Sequence, residues 1–330
     1  MKKNLVALAV AATIAQAHTK NSKQASKQAS KQASKQASKQ ASKQASKQAI
    51  SSISYFKQAP LPFIGQKRMF LKYFERILNE NIPDDGEGWT IVDAFGGSGL
   101  LSHVAKRLKP KARVIYNDFD SYAERLKHID DINRLRGLIA PLLATTQKQK
   151  RVDGRVKQQI IDVINGFDGY INEHILCSWL CFSGQQVKDL DALFKEDFWN
   201  CIRQSDYPSA DGYLDGLEVV NESFHKLLPQ FKDDPKALLV LDPPYLCTHQ
   251  ASYKQATYFD LIDFLRLVDL TRPPYIFFSS TKSEFIRFIE YMVAEKKDNW
   301  QAFENCERIV VKTSVSYSGK YEDNLVFKFN

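Results

Sequence analysis

Asp242-Pro243-Pro244-Tyr245 sets a carboxylate, two proline-locked residues and an aromatic ring side by side, directly after the apolar run Ala237-Leu238-Leu239-Val240-Leu241. An apolar run of five that stops at a proline pair reads as a buried strand running out into a loop. The combination suits one chemical problem, the exocyclic amine of a nucleobase. That amine's lone pair is delocalised into the ring, so the nitrogen is a poor nucleophile. The Asp242 carboxylate and the Pro243 carbonyl can each accept a hydrogen bond from the NH2 group. Holding both hydrogens in fixed directions localises the lone pair and aims it at an electrophile. The prolines hold φ near about −65° and donate nothing, which leaves the Pro243 carbonyl free for substrate. Tyr245 offers a flat face on which an extruded base can stack. The plain alternative is a proline-rich turn that ends a strand, and the rest of the chain weighs against it.

Upstream, Thr90-Ile91-Val92-Asp93-Ala94-Phe95-Gly96-Gly97-Ser98-Gly99 is a short β-rich run that closes on a glycine cluster. Leu100, Leu101, Val104, Ala105 and Leu108 then recur at helical spacing. Strand, tight glycine turn and helix start let a ligand approach backbone amides. The GxxxxGK[ST] phosphate loop is absent, and Asp93 would repel a pyrophosphate. An acid there suits a cationic ligand, such as the amino group of a methionine moiety. A second β-rich run, Ala112 to Tyr116, leads into Asn117-Asp118-Phe119-Asp120. Asp118 follows Asp93 by 25 residues, about where a βαβ unit carries its ribose-binding carboxylate.

With these segments in view, the chain resembles the alpha group of adenine-N6 DNA methyltransferases, the group of the bacterial DNA adenine methylases. Pro62-Phe63-Ile64-Gly65-Gln66-Lys67-Arg68 is similar to that family's aromatic-x-Gly-Gly-Lys segment, with Gln66 in place of the second glycine. Asp93 to Gly99 matches its acid-x-Phe-x-Gly-x-Gly loop, and Asp242 to Tyr245 its DPPY element. The likeness covers roughly residues 60–125 and 236–330. It implies a pocket for S-adenosylmethionine lined by Phe63, Gly65, Lys67, Asp93, Phe95, Gly97, Gly99, Asp118 and Asp242. It implies catalysis by Asp242, Pro243, Pro244 and Tyr245 without a metal, double-stranded DNA as partner, and it admits a companion restriction endonuclease.

The elements that must position these residues follow from pattern. Helical spacing covers Tyr258 to Leu270 and Ser283 to Ala294, and a strand covers Tyr275 to Ser280. Glu307 to Ser316 and Leu325 to Phe329 are two β-rich runs joined by a turn around Ser318-Gly319-Lys320, a hairpin. The expected fold is therefore α/β, a mostly parallel sheet with one antiparallel strand. The resemblance implies a Rossmann-like, seven-stranded S-adenosylmethionine-dependent methyltransferase sheet. Residues 55–140 form the cofactor-binding half and 236–330 the catalytic half. Residues 141–235 form a mainly helical insert, the natural place for target recognition.

Charge needs care. The formal net charge is +8, yet residues 1–50 hold ten lysines and no acid. Taking those ten from 46 basic groups leaves 36 against 38 acidic, a net of −2. Phosphate contacts must then come from local patches. Lys148, Lys150, Arg151, Arg155 and Lys157, with Arg134 and Arg136 nearby, form one candidate; a solvated linker is the other reading. His174, Cys177 and Cys181 share a helical face but lack a fourth ligand, so buried thiols are expected there. Five cysteines without regular spacing argue against a disulfide framework.

The N-terminus has a secretory form: Met1-Lys2-Lys3, a short apolar core from Leu5 to Ala15, and Ala15-Gln16-Ala17. Residues 1–21 are thus a signal-like leader, in conflict with the cytoplasmic location that the cofactor and DNA require. Ser22 to Ala49 is seven copies of Ser-Lys-Gln-Ala, and residues 22–50 are expected to be disordered. The tetrapeptide can be encoded as repeated CAAG, which reads the same in every frame. Gain or loss of one unit would switch the downstream frame, making expression phase-variable. The expected activity is methyl transfer to N6 of a flipped adenine in DNA. Alternatives are the same transfer to RNA, or a non-catalytic nucleic-acid-binding protein that keeps the fold.

Overall fold

The computed structural model describes residues 56–245, 259–280, 284–316 and 319–330; the leader and the repeat lie outside them. Seven strands form one sheet in the order β3-β2-β1-β4-β5-β7-β6. They are β1 (Thr90–Asp93), β2 (Arg113–Asn117), β3 (Glu218–Val220), β4 (Ala237–Leu241), β5 (Tyr275–Ser280), β6 (Glu307–Ser316) and β7 (Gly319–Lys328). β1 to β5 pair in parallel, and β7 runs antiparallel between β5 and β6. This is a Rossmann-like, mostly parallel α/β sheet, and the single reversed strand is the one that the hairpin pattern required. β7 begins earlier than the β-rich run Leu325 to Phe329, because residues 319–322 pair with β6, and from Asp323 on the strand pairs with β5 as well.

Strands β4 and β5 are buried along their whole length. That is why they read as continuous apolar runs without alternation. One face packs Val92, Leu239, Leu241 and Phe277 against Phe264, Leu267, Phe285 and Met292. These come from helices that follow the strands, at Leu261–Leu270 and Phe285–Ala294. The first of these opens on a capping box between Asp260 and Asp263, which sets its start beyond the periodic signal at Tyr258. On the other face lie α1 (Leu71–Asn81) and α2 (Leu100–Leu108); Phe70, just before α1, meets the ring of Phe278 edge-on at 5.4 Å.

A separate helical core builds on Tyr122, Ile160, Leu176, Trp179 and Leu193. Its helices are α3 (Tyr122–Leu126), α4 (Ile129–Ile139), α5 (Gly154–Asn165), α6 (Glu173–Leu180) and α7 (Leu190–Lys195). Cys177 and Cys181 are buried in it. α7 stops at Lys195; residues 198–201 instead bond to Lys150, Val152, Trp179 and Leu180. Tyr122 fastens the N-terminal segment to this core, its hydroxyl accepting from Leu61 N at 2.9 Å and donating to Leu61 O at 2.8 Å. The sheet also takes β3 from within residues 141–235. That strand is three residues long and mostly exposed, too short for a periodic signal.

Candidate active site

β1 and β4 are neighbours, and the strand order reverses between them. In such sheets ligands bind outside the carboxyl ends of the strands at this crevice. Asp93 pairs with Val240, so Asp242 lies two residues beyond it on the adjacent strand end. Two carboxylates from residues 149 positions apart in sequence therefore share one edge.

Asp242 is held by the N-terminal segment. The Lys67 ammonium lies 2.6 Å from Asp242 Oδ2 and donates to Gly65 O at 2.8 Å. It also stands 5.6 Å from the Tyr245 ring centroid and 5.9 Å from that of Phe278. Burial pushes the Asp242 carboxyl up from its ordinary value, and Lys67 pulls it back down. Pro243 and Pro244 are buried and Tyr245 half-buried.

Asp93 is fully buried. Its Oδ2 accepts from Ser102 Oγ at 2.6 Å, while Oδ1 has no hydrogen-bond partner. Burial, reinforced by the nearby Asp242 charge, pushes its carboxyl up to about 7. A buried carboxylate oxygen with nothing to accept from is costly, and a cationic ligand would relieve it.

The glycine turn has two physical reasons. Gly97 and Gly99 sit at φ 51° and 71°, which L side chains avoid. A Cβ at Gly96 would come within 2.3 Å of the Tyr116 ring, and one at Gly97 within 2.8 Å of Phe63. The turn is thus pressed between Tyr116, whose hydroxyl donates to Gly97 O at 2.7 Å, and Phe63.

Asp118 has a use that its spacing did not reveal. Its two carboxylate oxygens accept from Tyr122 N at 2.7 Å and Ala123 N at 2.8 Å, fixing the start of α3. Asn117, which pattern reading passed over, ties three strand ends together. Its Nδ2 donates to Ala94 O and Glu222 O, and its Oδ1 accepts from Glu222 N. Beside it a cavity of about 290 Å³ is walled by Phe95, Phe119, Phe224 and Phe259, with Glu222 and the His225–Asp263 pair at its polar side. His225 Nε2 lies 2.9 Å from Asp263 Oδ1. A flat heterocycle fits such a slot. Of its walls only Phe95 stood out in the sequence; Glu222-Ser223-Phe224 follows the short β3 and carried no periodic signal.

The basic patch at 148–157 is largely committed to internal bonds. Lys148 donates to Ile202 O, Arg151 pairs with Asp197, and Lys157 donates to Glu196 O. Arg134 and Arg136 likewise hold Asp131 and Asp206. The 148–157 cations close the insert on itself, and Arg136 ties it to α4.

A curated protein of Haemophilus influenzae (strain Rd), named "Putative methyltransferase", is 68% identical to the chain over 275 residues, spanning 83% of this chain and 93% of that protein. A crystal structure of a precorrin-6y C5,15-methyltransferase from Geobacter metallireducens aligns over 83% of this chain and all of its own, at 8% identity and a TM-score of 0.32. No family model matches.

Proposed function

Because the chain belongs to the methyltransferase family, on the strength of its Haemophilus influenzae relative, we propose that it transfers a methyl group from S-adenosylmethionine to N6 of a flipped adenine in DNA. The observation that carries this reading is the Lys67–Asp242 pair at the sheet edge, beside the Tyr245 ring. It supplies an oriented acceptor next to a stacking face, which is what an unreactive amine needs.

The residues present fit the cofactor. The unpartnered Asp93 Oδ1 would take its ammonium group, and the aromatic slot beside Asn117 its adenine. Asp118 keeps acceptor capacity beyond its two backbone bonds, since a carboxylate offers about four lone-pair sites. When bound, S-adenosylmethionine supplies an electrophilic methyl on a sulfonium.

The chain's own residues do the rest. Tyr245 stacks the extruded base. Asp242 accepts one amine hydrogen and the Pro243 carbonyl the other, so the nitrogen lone pair points out of the ring plane. Lys67 keeps Asp242 charged, and therefore an acceptor, despite its partial burial. The displacement these residues would serve is in-line: the sulfonium–methyl bond would break as the N–methyl bond forms, the sulfur would leave as a neutral thioether, and the excess proton of the product amine would pass to solvent. Such a substrate places the enzyme in the cytoplasm; no described helix is long and apolar enough to cross a membrane.

The variants that test this are Asp242→Ala, Tyr245→Ala and Tyr245→Phe. Losing an acceptor that acts in the transition state costs ~10²–10³ in rate. Tyr245→Ala is expected to lose far more than Tyr245→Phe, since stacking needs the ring and not the hydroxyl. Equal losses in those two would count against the stacking role.

A further inference from the structure

Between the N-terminal segment and the helical insert lies a second cavity, of about 490 Å³. Arg68, Arg125 and Arg203 line it, with Asp120 as the one carboxylate among its walls. Arg125 is 4% exposed, yet it forms no ion pair among the described residues. Of its five N–H donors a single one is used, Nη2 to Asp120 O at 2.8 Å. The rest of the guanidinium lies over the rings of Phe63 and Tyr122, at 5.9 and 5.6 Å. Buried cations are normally paired; this one faces a cavity instead. Arg203 stacks 4.1 Å from the Tyr207 centroid and donates to Ser205 Oγ, and Arg68 donates to Gln58 Oε1. Neither holds a carboxylate among the described residues. Arg113, Arg134, Arg136 and Arg151, away from the cavity, all do.

We propose that this cavity is a phosphate site, receiving one backbone phosphate of the target strand beside the extruded base. The proposal rests on the nucleic-acid reading above and deepens it. Three guanidiniums on a cavity whose polar lining also includes His174 and Tyr207 suit a tetrahedral oxyanion, which Arg binds with paired N–H donors. The cofactor is a poorer occupant, because its sulfonium and ammonium would face the same three cations. Of the residues implied for the cofactor, Phe63 and Gly65 line the cavity, whereas Asp93, Phe95, Lys67, Gly97, Gly99, Asp118 and Asp242 lie outside the lining. The cavity is nevertheless close to the chemistry. Gly65 lines it, and the Gly65 carbonyl accepts from the Lys67 ammonium that holds Asp242. Since three of the five 148–157 cations are internally bonded, this cavity is the better-formed place for the phosphate contacts expected of a chain with a net-acidic body.

The experiment is fluorescence anisotropy of a short mixed-sequence DNA duplex across a series of salt concentrations, alongside calorimetry with S-adenosylmethionine. Arg125→Gln and Arg203→Gln should each lower the slope of log K against log salt, by up to about 0.9, the worth of one phosphate. Cofactor affinity should stay within about twofold. Unchanged slopes in folded variants overturn the site. A fall in cofactor affinity with an unchanged DNA slope also overturns it, assigning the cations to the cofactor's carboxylate. Should Arg125→Gln fail to fold, the half-buried Arg203→Gln decides alone. A wild-type protein that binds no duplex at all sinks the nucleic-acid reading itself, which is a separate outcome.

Discussion

The Lys67 ammonium and the Asp242 carboxylate meet at 2.6 Å, although 175 positions separate them in the chain. One ends the N-terminal loop and the other follows β4. Their contact ties the N-terminal segment to the carboxylate that, on the proposed reading, holds the target amine. Burial favours a neutral Asp242, and Lys67 opposes that.

Removing this cation should therefore raise the Asp242 pKa. An opposite charge within a few ångströms favours the charged carboxylate. In Lys67→Met the acid limb of the pH–rate profile should move to higher pH, and Lys67→Arg should recover part of the difference. Single-turnover methyl transfer between pH 5 and pH 9 reads the limb directly. An unmoved limb with a lower plateau would remove Lys67 from this role.

Asp93 makes a prediction of opposite sign for stability. Its folded pKa is raised from 3.8 to about 7. The group therefore contributes most at pH below about 4, and that contribution is lost as pH rises to about 7. Asp93→Asn should flatten the fall in stability across that window, as followed by thermal melts. Cofactor binding should show the converse. A cation favours the charged carboxylate, so affinity should rise with pH up to about 7 in the wild type and more weakly in Asp93→Asn.

Much of the sheet was legible because buried parallel strands are apolar throughout, and because Gly96, Gly97 and Gly99 mark a turn that nothing larger fits. β2, β4, β5 and β6 and the helix Leu100–Leu108 follow the pattern to within a residue. β3 was not legible, being a three-residue edge strand. Asn117 and Glu222 were missed because their role is bonding between strand ends, which leaves no periodicity. The Arg125 cavity was missed because pairing is invisible in sequence: paired and unpaired arginines look alike until their neighbours are known.

Asp118 has a structural role at the start of α3 and, on the proposed reading, a binding one, and two variants separate them. Asp118→Ala should destabilise the fold by about 0.5–2 kcal/mol through the lost helix start. It should also weaken cofactor binding by about 1.5–3 kcal/mol. Asp118→Asn keeps a carbonyl oxygen for one of the two α3 amides, and should recover more stability than affinity. Calorimetry with unchanged affinity in both would leave Asp118 as a capping residue alone.

The repeat at Ser22 to Ala49 makes a genetic prediction. If it is a DNA-level switch, the gene should carry an unbroken CAAG tract whose length differs between clones. Sequencing across the tract in independent colonies settles this, and mixed synonymous codons in the seven copies would sink it. Deleting residues 1–50 should leave cofactor affinity and turnover unchanged.

The central claim is adenine-N6 methylation of DNA, and product identification tests it most directly. The protein is incubated with tritium-labelled S-adenosylmethionine and duplex DNA, or with RNA in parallel, and the nucleic acid is digested to nucleosides and separated. The account predicts label in N6-methyldeoxyadenosine, abolished in Asp242→Ala. Label in a methylated cytosine or in RNA alone, or no label with folded, cofactor-bound protein, would contradict it.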